Sequence, residues 1–93
     1  MSSIYKVLTE EEWENTISLG YVATKLDNDD GFIHLSTSKQ LALTLNLYFK
    51  NSKKVILLEI DQDSIKDEIV FEEAKPGSRL GKFPHLYGKL SIQ

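Results

Sequence analysis

The sequence predicts one small α+β domain, residues 1–93, with the element order β-α-β-α-β-β-β. Three observations lead there. A chain of 93 residues has room for one core only. Two capping boxes, Thr9 to Glu12 and Thr37 to Gln40, each open a helix directly after a short strand-like run. Every later apolar run is short and bounded by polar or Gly/Pro breaks, as strands are. Helices early and strands late imply mixed or antiparallel sheets.

The first run, Ile4–Leu8 (IYKVL), reads as a short strand rich in β-branched and aromatic residues. Thr9-Glu10-Glu11-Glu12 follows, with Leu8 and Trp13 placed as a hydrophobic staple and three acids at the positive end of the helix dipole. The helix runs through Ile17, and Gly20 supplies a left-handed stop. Asp27–Gly31 reads as a solvated turn. Its acids do not make a calcium loop, because counting around Gly31 puts Leu26 first and Thr37 twelfth.

Phe32–Ser36 (FIHLS) reads as a second strand, and Thr37 with Gln40 starts a second helix. Leu41, Leu45, Tyr48 and Phe49 form its core-facing stripe. After a polar break, Val55–Ile60 (VILLEI) is apolar enough for a central strand buried on both faces. A polar turn with one helical turn at 63–66 leads to a strand at Ile69–Glu73. Lys75–Lys82 is a loop around Pro76-Gly77, and His85–Ile92 is the last strand.

Composition excludes several classes of function. A hydrophobic content of 41% suits a chain that folds unaided. There is no cysteine, which removes disulfides, thiolate metal sites and cysteine nucleophiles. No apolar run approaches the ~20 residues of a membrane span, and the amino terminus lacks the pattern of a secretory signal, so the expected location is cytoplasmic with no membrane partner. The net charge of −3 argues against nucleic acid as a partner. It is compatible with a small anionic molecule held by one or two basic side chains.

The candidate chemistry lies on two strands. Alternation puts Phe32, His34 and Ser36 on one face of the second strand, opposite Ile33 and Leu35. It puts His85, Tyr87 and Lys89 on one face of the last, opposite Leu86, Leu90 and Ile92. Gly88 leaves room for a bulge or the close approach of a ligand. Both histidines of the chain thus occupy polar faces of strands with apolar backs. If the faces share a cleft, the imidazoles meet there; alone, each would be an ordinary hydrogen-bonding residue. Two histidines do not make a zinc site, and no metal is expected.

Ser36, Thr37 and Ser38 either cap the second helix or present hydroxyls to a phosphate or ribose. Glu72 and Glu73 point to opposite faces, so one at most joins a given cleft, and edge charges are the plainer reading. Lys6, in an apolar strand, either snorkels or holds an anion.

Taken together, IYKVLTEEEW, DGFIHLSTSKQ and FPHLYGKL resemble, along nearly the full chain, the family known as domain of unknown function 952. The order strand, helix, glycine, FIHLST strand, helix is also similar to the first half of the ADP-ribosyltransferase fold. FIHLS itself is similar to a motif of the RNA 2′-phosphotransferases that share it. That resemblance implies two small sheets around a cleft for NAD. It puts Lys6 where those enzymes carry histidine or arginine, and His34 and Ser36 on the ligand-contacting strand. Glu72 is the better candidate of the pair for the late catalytic glutamate. The catalytic set it implies is His34, His85 and Glu72; the binding set is Lys6, Ser36, Thr37, Arg79 and Tyr87. Lys6 and Arg79 would hold phosphates, His34 and Ser36 ribose, Tyr87 a ring. A non-catalytic binding module for a metabolite or a protein is the alternative on the same fold.

Overall fold

The computed structural model describes residues 3–73 and 81–92. Strand β1 (Ser3–Leu8) enters helix α1 (Glu10–Leu19) through the capping box the sequence announces. Glu12 N–H donates to Thr9 Oγ1 (3.1 Å), and Thr9 N–H donates to Glu12 Oε1 (2.9 Å). Gly20 ends the helix at φ 86°, a left-handed conformation that a side chain would strain. Trp13 packs against the core cluster that contains Leu8.

The acidic segment is not a solvated turn. It forms a second helix, α2 (Lys25–Asp30), capped by Thr24, whose Oγ1 accepts from Asp27 N–H, and closed by Gly31 at φ 82°. Asp27 is 4% exposed. A Thr-x-x-Asp start and a glycine stop outweigh the turn-forming tendency of the residues between them.

The FIHLS segment is two strands rather than one. Strand β2 (Ile33–His34) and strand β3 (Ser36–Thr37) belong to different sheets, divided at Leu35. Leu35 N–H donates to Pro84 O (3.0 Å) as the chain crosses over. The shared face expected for Phe32, His34 and Ser36 is therefore broken, because alternation holds only within one ladder.

A 3₁₀ turn (Ser38–Gln40) precedes α3 (Leu41–Tyr48), and Thr37 N–H donates to Gln40 Oε1 (3.1 Å). Half of the expected core-facing stripe is outside: α3 has no buried residue, Leu45 and Tyr48 are exposed, and Leu41 and Phe49 are half-buried. Strand β4 (Ile56–Asp61) is likewise not central. It pairs only with β1 in the order β3-β1-β4, so Ile56, Leu58 and Ile60 turn inward while Leu57 faces out. An edge strand covered on one face needs only one apolar face, and the other carries Glu59 and Asp61 beside Leu57.

In place of one helical turn there are two 3₁₀ turns, Gln62–Ser64 and Lys66–Glu68. Strand β5 (Ile69–Glu73) then pairs antiparallel with β6 (Lys82–Leu86), which also pairs with β2, giving the second sheet β2-β6-β5. The last strand thus ends near where it was expected to begin; beyond it only Ser91 makes a bridge, to Tyr21. Gly88 is reserved by the protein itself. A Cβ there would lie 1.8 Å from the Glu68 carboxylate, so the close approach is made by a side chain of the same chain. The core lies between the sheets: Ile4 and Leu8 from β1 meet Ile33, Leu35, Leu86, Val22 and Leu90. Among the described residues no helix is long and apolar enough to cross a membrane.

Candidate functional site

Lys6 stands on β1 with Ile4 and Leu8 in alternation, and all three are buried. An ammonium on a core face must meet an opposite charge. The partner is Asp27 of α2, whose Oδ2 lies 2.8 Å from Nζ, and Nζ also donates to His34 O (3.0 Å). The anion that Lys6 holds is therefore internal. Burial works against the Asp27 charge, but hydrogen bonds from His34 and the charge of Lys6 outweigh it. They hold the carboxyl below the usual aspartate range.

His34 sits where both helix and sheet can reach it. Its backbone N–H donates to Asp27 Oδ1 (3.1 Å); its Nδ1 lies 2.7 Å from that oxygen and its Nε2 2.9 Å from Asp30 Oδ2. Both ring nitrogens thus face carboxylates of α2.

His34 and His85 are register partners across β2 and β6, and their ring centroids are 5.4 Å apart, edge to face. The two imidazoles, whose meeting the sequence made conditional on a shared cleft, are neighbours within one sheet. His85 is only 1% exposed. Phe32 stacks on its ring at 4.1 Å and also touches His34 (4.6 Å) and Tyr87 (5.3 Å). His85 Nδ1 lies 3.0 Å from Glu72 Oε1, and Tyr87 O–H donates to the same oxygen. These bonds, Tyr87 first and then His85, hold the Glu72 carboxyl below its usual range, and Glu72 raises the Tyr87 hydroxyl above its own.

Ser36 is buried on β3, and its hydroxyl meets Thr44 Oγ1 of α3 at 2.6 Å. Lys6, His34 and Ser36 line one cavity of about 80 Å³, closed by Leu26, Tyr48 and Phe49. A second, open groove of about 340 Å³ runs past Tyr21, Asp27, Gly31, Phe32 and Lys89; His85, Glu72 and Tyr87 line neither of these two spaces. Thr37 is half-buried at the end of β3 and does not line either space. Arg79 lies outside the described residues. Among the described residues no group of three or more His, Asp or Glu is placed to hold a metal ion.

Sequence reasoning did not single out Asp27; it named Asp30 only as a carboxylate that could complete a metal site, and Phe32 only as sharing a strand face with His34. A signal existed for Asp27, since Thr24-x-x-Asp27 is a helix start. Phe32 and Asp30 are recruited only by the packing of α2 onto β2.

Among the described residues, fold and site define a small α+β domain of two antiparallel sheets and three helices, with a carboxylate-anchored histidine pair. The chain belongs to the family described as protein of unknown function (DUF952), whose profile matches residues 7–93. It is similar to the crystal structure of protein CC0527 from Caulobacter crescentus. That match has 30% identity and a TM-score of 0.84, over 98% of this chain and 78% of the other. A double mutant of CC0527 matches equally. The solution structure of CC0527 gives 33% identity and a TM-score of 0.78 over 99% and 78%. No curated protein matches the sequence.

Proposed function

We propose that the domain binds NAD or a related nucleotide around His34 and His85, using the cavity beside His34 and the groove beside Asp27. The carrying observation is the histidine pair itself: two rings 5.4 Å apart, each with a carboxylate at Nδ1, with His34 lining the cavity. Groups whose titration is shifted by close charged or hydrogen-bonded partners, as Asp27, Glu72 and Tyr87 are around this pair, cluster at functional sites. The choice of nucleotide rests on the sequence resemblance of FIHLS to the RNA 2′-phosphotransferase motif. The groove falls at the lower end of the ~300–1,000 Å³ of small-molecule pockets, and the cavity is the size of a subsite.

In this reading Ser36 and His34 border the ribose and Tyr87, 46% exposed, offers a ring for stacking. Lys6 shapes the floor, since Asp27 already neutralises it. The reaction class would be transfer or hydrolysis at the nicotinamide-bearing ribose, with His85 as the proton-transfer group and Glu72 as the carboxylate nearest it. A second reading, a non-catalytic module for a metabolite or protein partner, is favoured by one observation. Both nitrogens of His34 and an oxygen of Glu72 are satisfied within the chain.

The test is an NMR titration of the two histidine ring signals with NAD and then ADP-ribose. Both rings shifting together and saturating supports a nucleotide site, and His34→Ala then weakens it. Nicotinamide release marks an enzyme; saturable binding without release marks the second reading. Neither ring moving at millimolar ligand overturns the nucleotide proposal.

A further inference from the structure

His34 and His85 are not equivalent. Each nitrogen of His34 faces a carboxylate, whereas His85 has a partner at Nδ1 only. Its Nε2, on the other side of the ring from Glu72, is buried and has no hydrogen-bond partner among the described residues.

The protonation pattern follows from what each partner can do. An ionised carboxylate only accepts, and Glu72 Oε1 receives the Tyr87 O–H as well as facing Nδ1. The proton of a neutral His85 ring therefore belongs on Nδ1. A proton on Nε2 would be a buried donor with no acceptor, which is the costlier arrangement. Free imidazole favours the opposite tautomer, so Glu72 must impose this one.

We infer that Tyr87, Glu72 and His85 form a positioning relay that presents a bare Nε2 as the acceptor for a ligand's hydroxyl or N–H group. Glu72 and Tyr87 act through His85 and are positioning residues. Phe32, half-buried, stacks on the ring, and His85 lines neither the cavity nor the groove, so a ligand reaches Nε2 only after a side-chain movement. The relay stands on geometry alone; the further step, that the donor is a ribose hydroxyl, rests on the nucleotide reading above.

The test is a long-range ¹H–¹⁵N imidazole spectrum of the ligand-free protein, with the two rings assigned through His34→Ala. Wild-type His85 should show a pyridine-like Nε2 and a pyrrole-like Nδ1. Glu72→Ala should move the proton toward Nε2, while Glu72→Gln, whose amide oxygen still accepts, should keep it on Nδ1. Tyr87→Phe should also keep the tautomer. A wild-type Nε2 that carries the proton, or a Glu72→Ala spectrum identical to wild type, overturns the relay. Should Glu72→Ala fail to fold, the wild-type spectrum alone decides. Addition of ADP-ribose should then shift Nε2 upfield as it accepts a hydrogen bond. An unmoved Nε2 overturns the ribose assignment, together with the nucleotide reading if neither ring responds, and leaves the tautomer result intact.

Discussion

At Lys6 the strand places an ammonium between Ile4 and Leu8, where only a facing carboxylate makes burial tolerable. The Lys6 and Asp27 side chains are 6% and 3% exposed, so solvent screens the pair very little. Removing one partner strands the other charge, and Asp27→Ala should destabilise the domain by about 3–5 kcal/mol in urea unfolding. The same carboxyl predicts a pH dependence. Its folded value lies below its unfolded one, so the folded state binds fewer protons. That stability is fully present above about pH 4, the unfolded aspartate value, and is lost as pH falls through the folded value. The urea midpoint of wild type should therefore drop on acidification, and less so in Asp27→Asn; equal slopes would remove Asp27 from the account. Lys6 was legible as an anomaly in its strand, but its partner, 21 residues away, was not.

At the scale of elements, α2 shows how little sequence a site needs. Six residues, Lys25–Asp30, are held between Thr24 and Gly31, and they carry both carboxylates that grip His34. Thr24→Ala should cost about 1 kcal/mol, the usual value of a helix cap. Because Thr24 Oγ1 accepts from Asp27 N–H, the His34 ring signals should move in that variant as well as the melting temperature. An unchanged His34 spectrum would mean that the cap does not position Asp27. Helix α1 was legible in full, from its capping box to Gly20, because every determinant lies within a dozen neighbouring residues. Helix α3 and strand β4 were legible as elements but not in their burial. The sequence LALTLNLY shows an apolar surface, and whether another layer covers it depends on elements elsewhere in the chain.

At the scale of the whole molecule, two three-stranded sheets share one core, and Leu86, with no exposed surface, sits in β6 at its centre. Leu86→Ala should cost about 2–5 kcal/mol in unfolding, the range for emptied core positions. Leu86 also pairs with Ile33 and Ile69. The variant should accordingly disturb the His34–His85 register, read as shifted ring signals; a loss of stability with both rings unmoved would show the site to be independent of the core.

What the sequence by itself determined is local: the α+β class, the α1 boundaries and the strand at 69–73. These follow from capping, glycine stops and apolar runs, which act over a few residues. Tertiary structure alone decided that FIHLS divides at Leu35 between two sheets, because the Leu35 N–H is claimed by Pro84 O. It also decided that His34 faces His85 at 5.4 Å and that Lys6 meets Asp27. Those contacts depend on which strands become neighbours, a choice made by the shared core and by the need to pair each buried charge and backbone group.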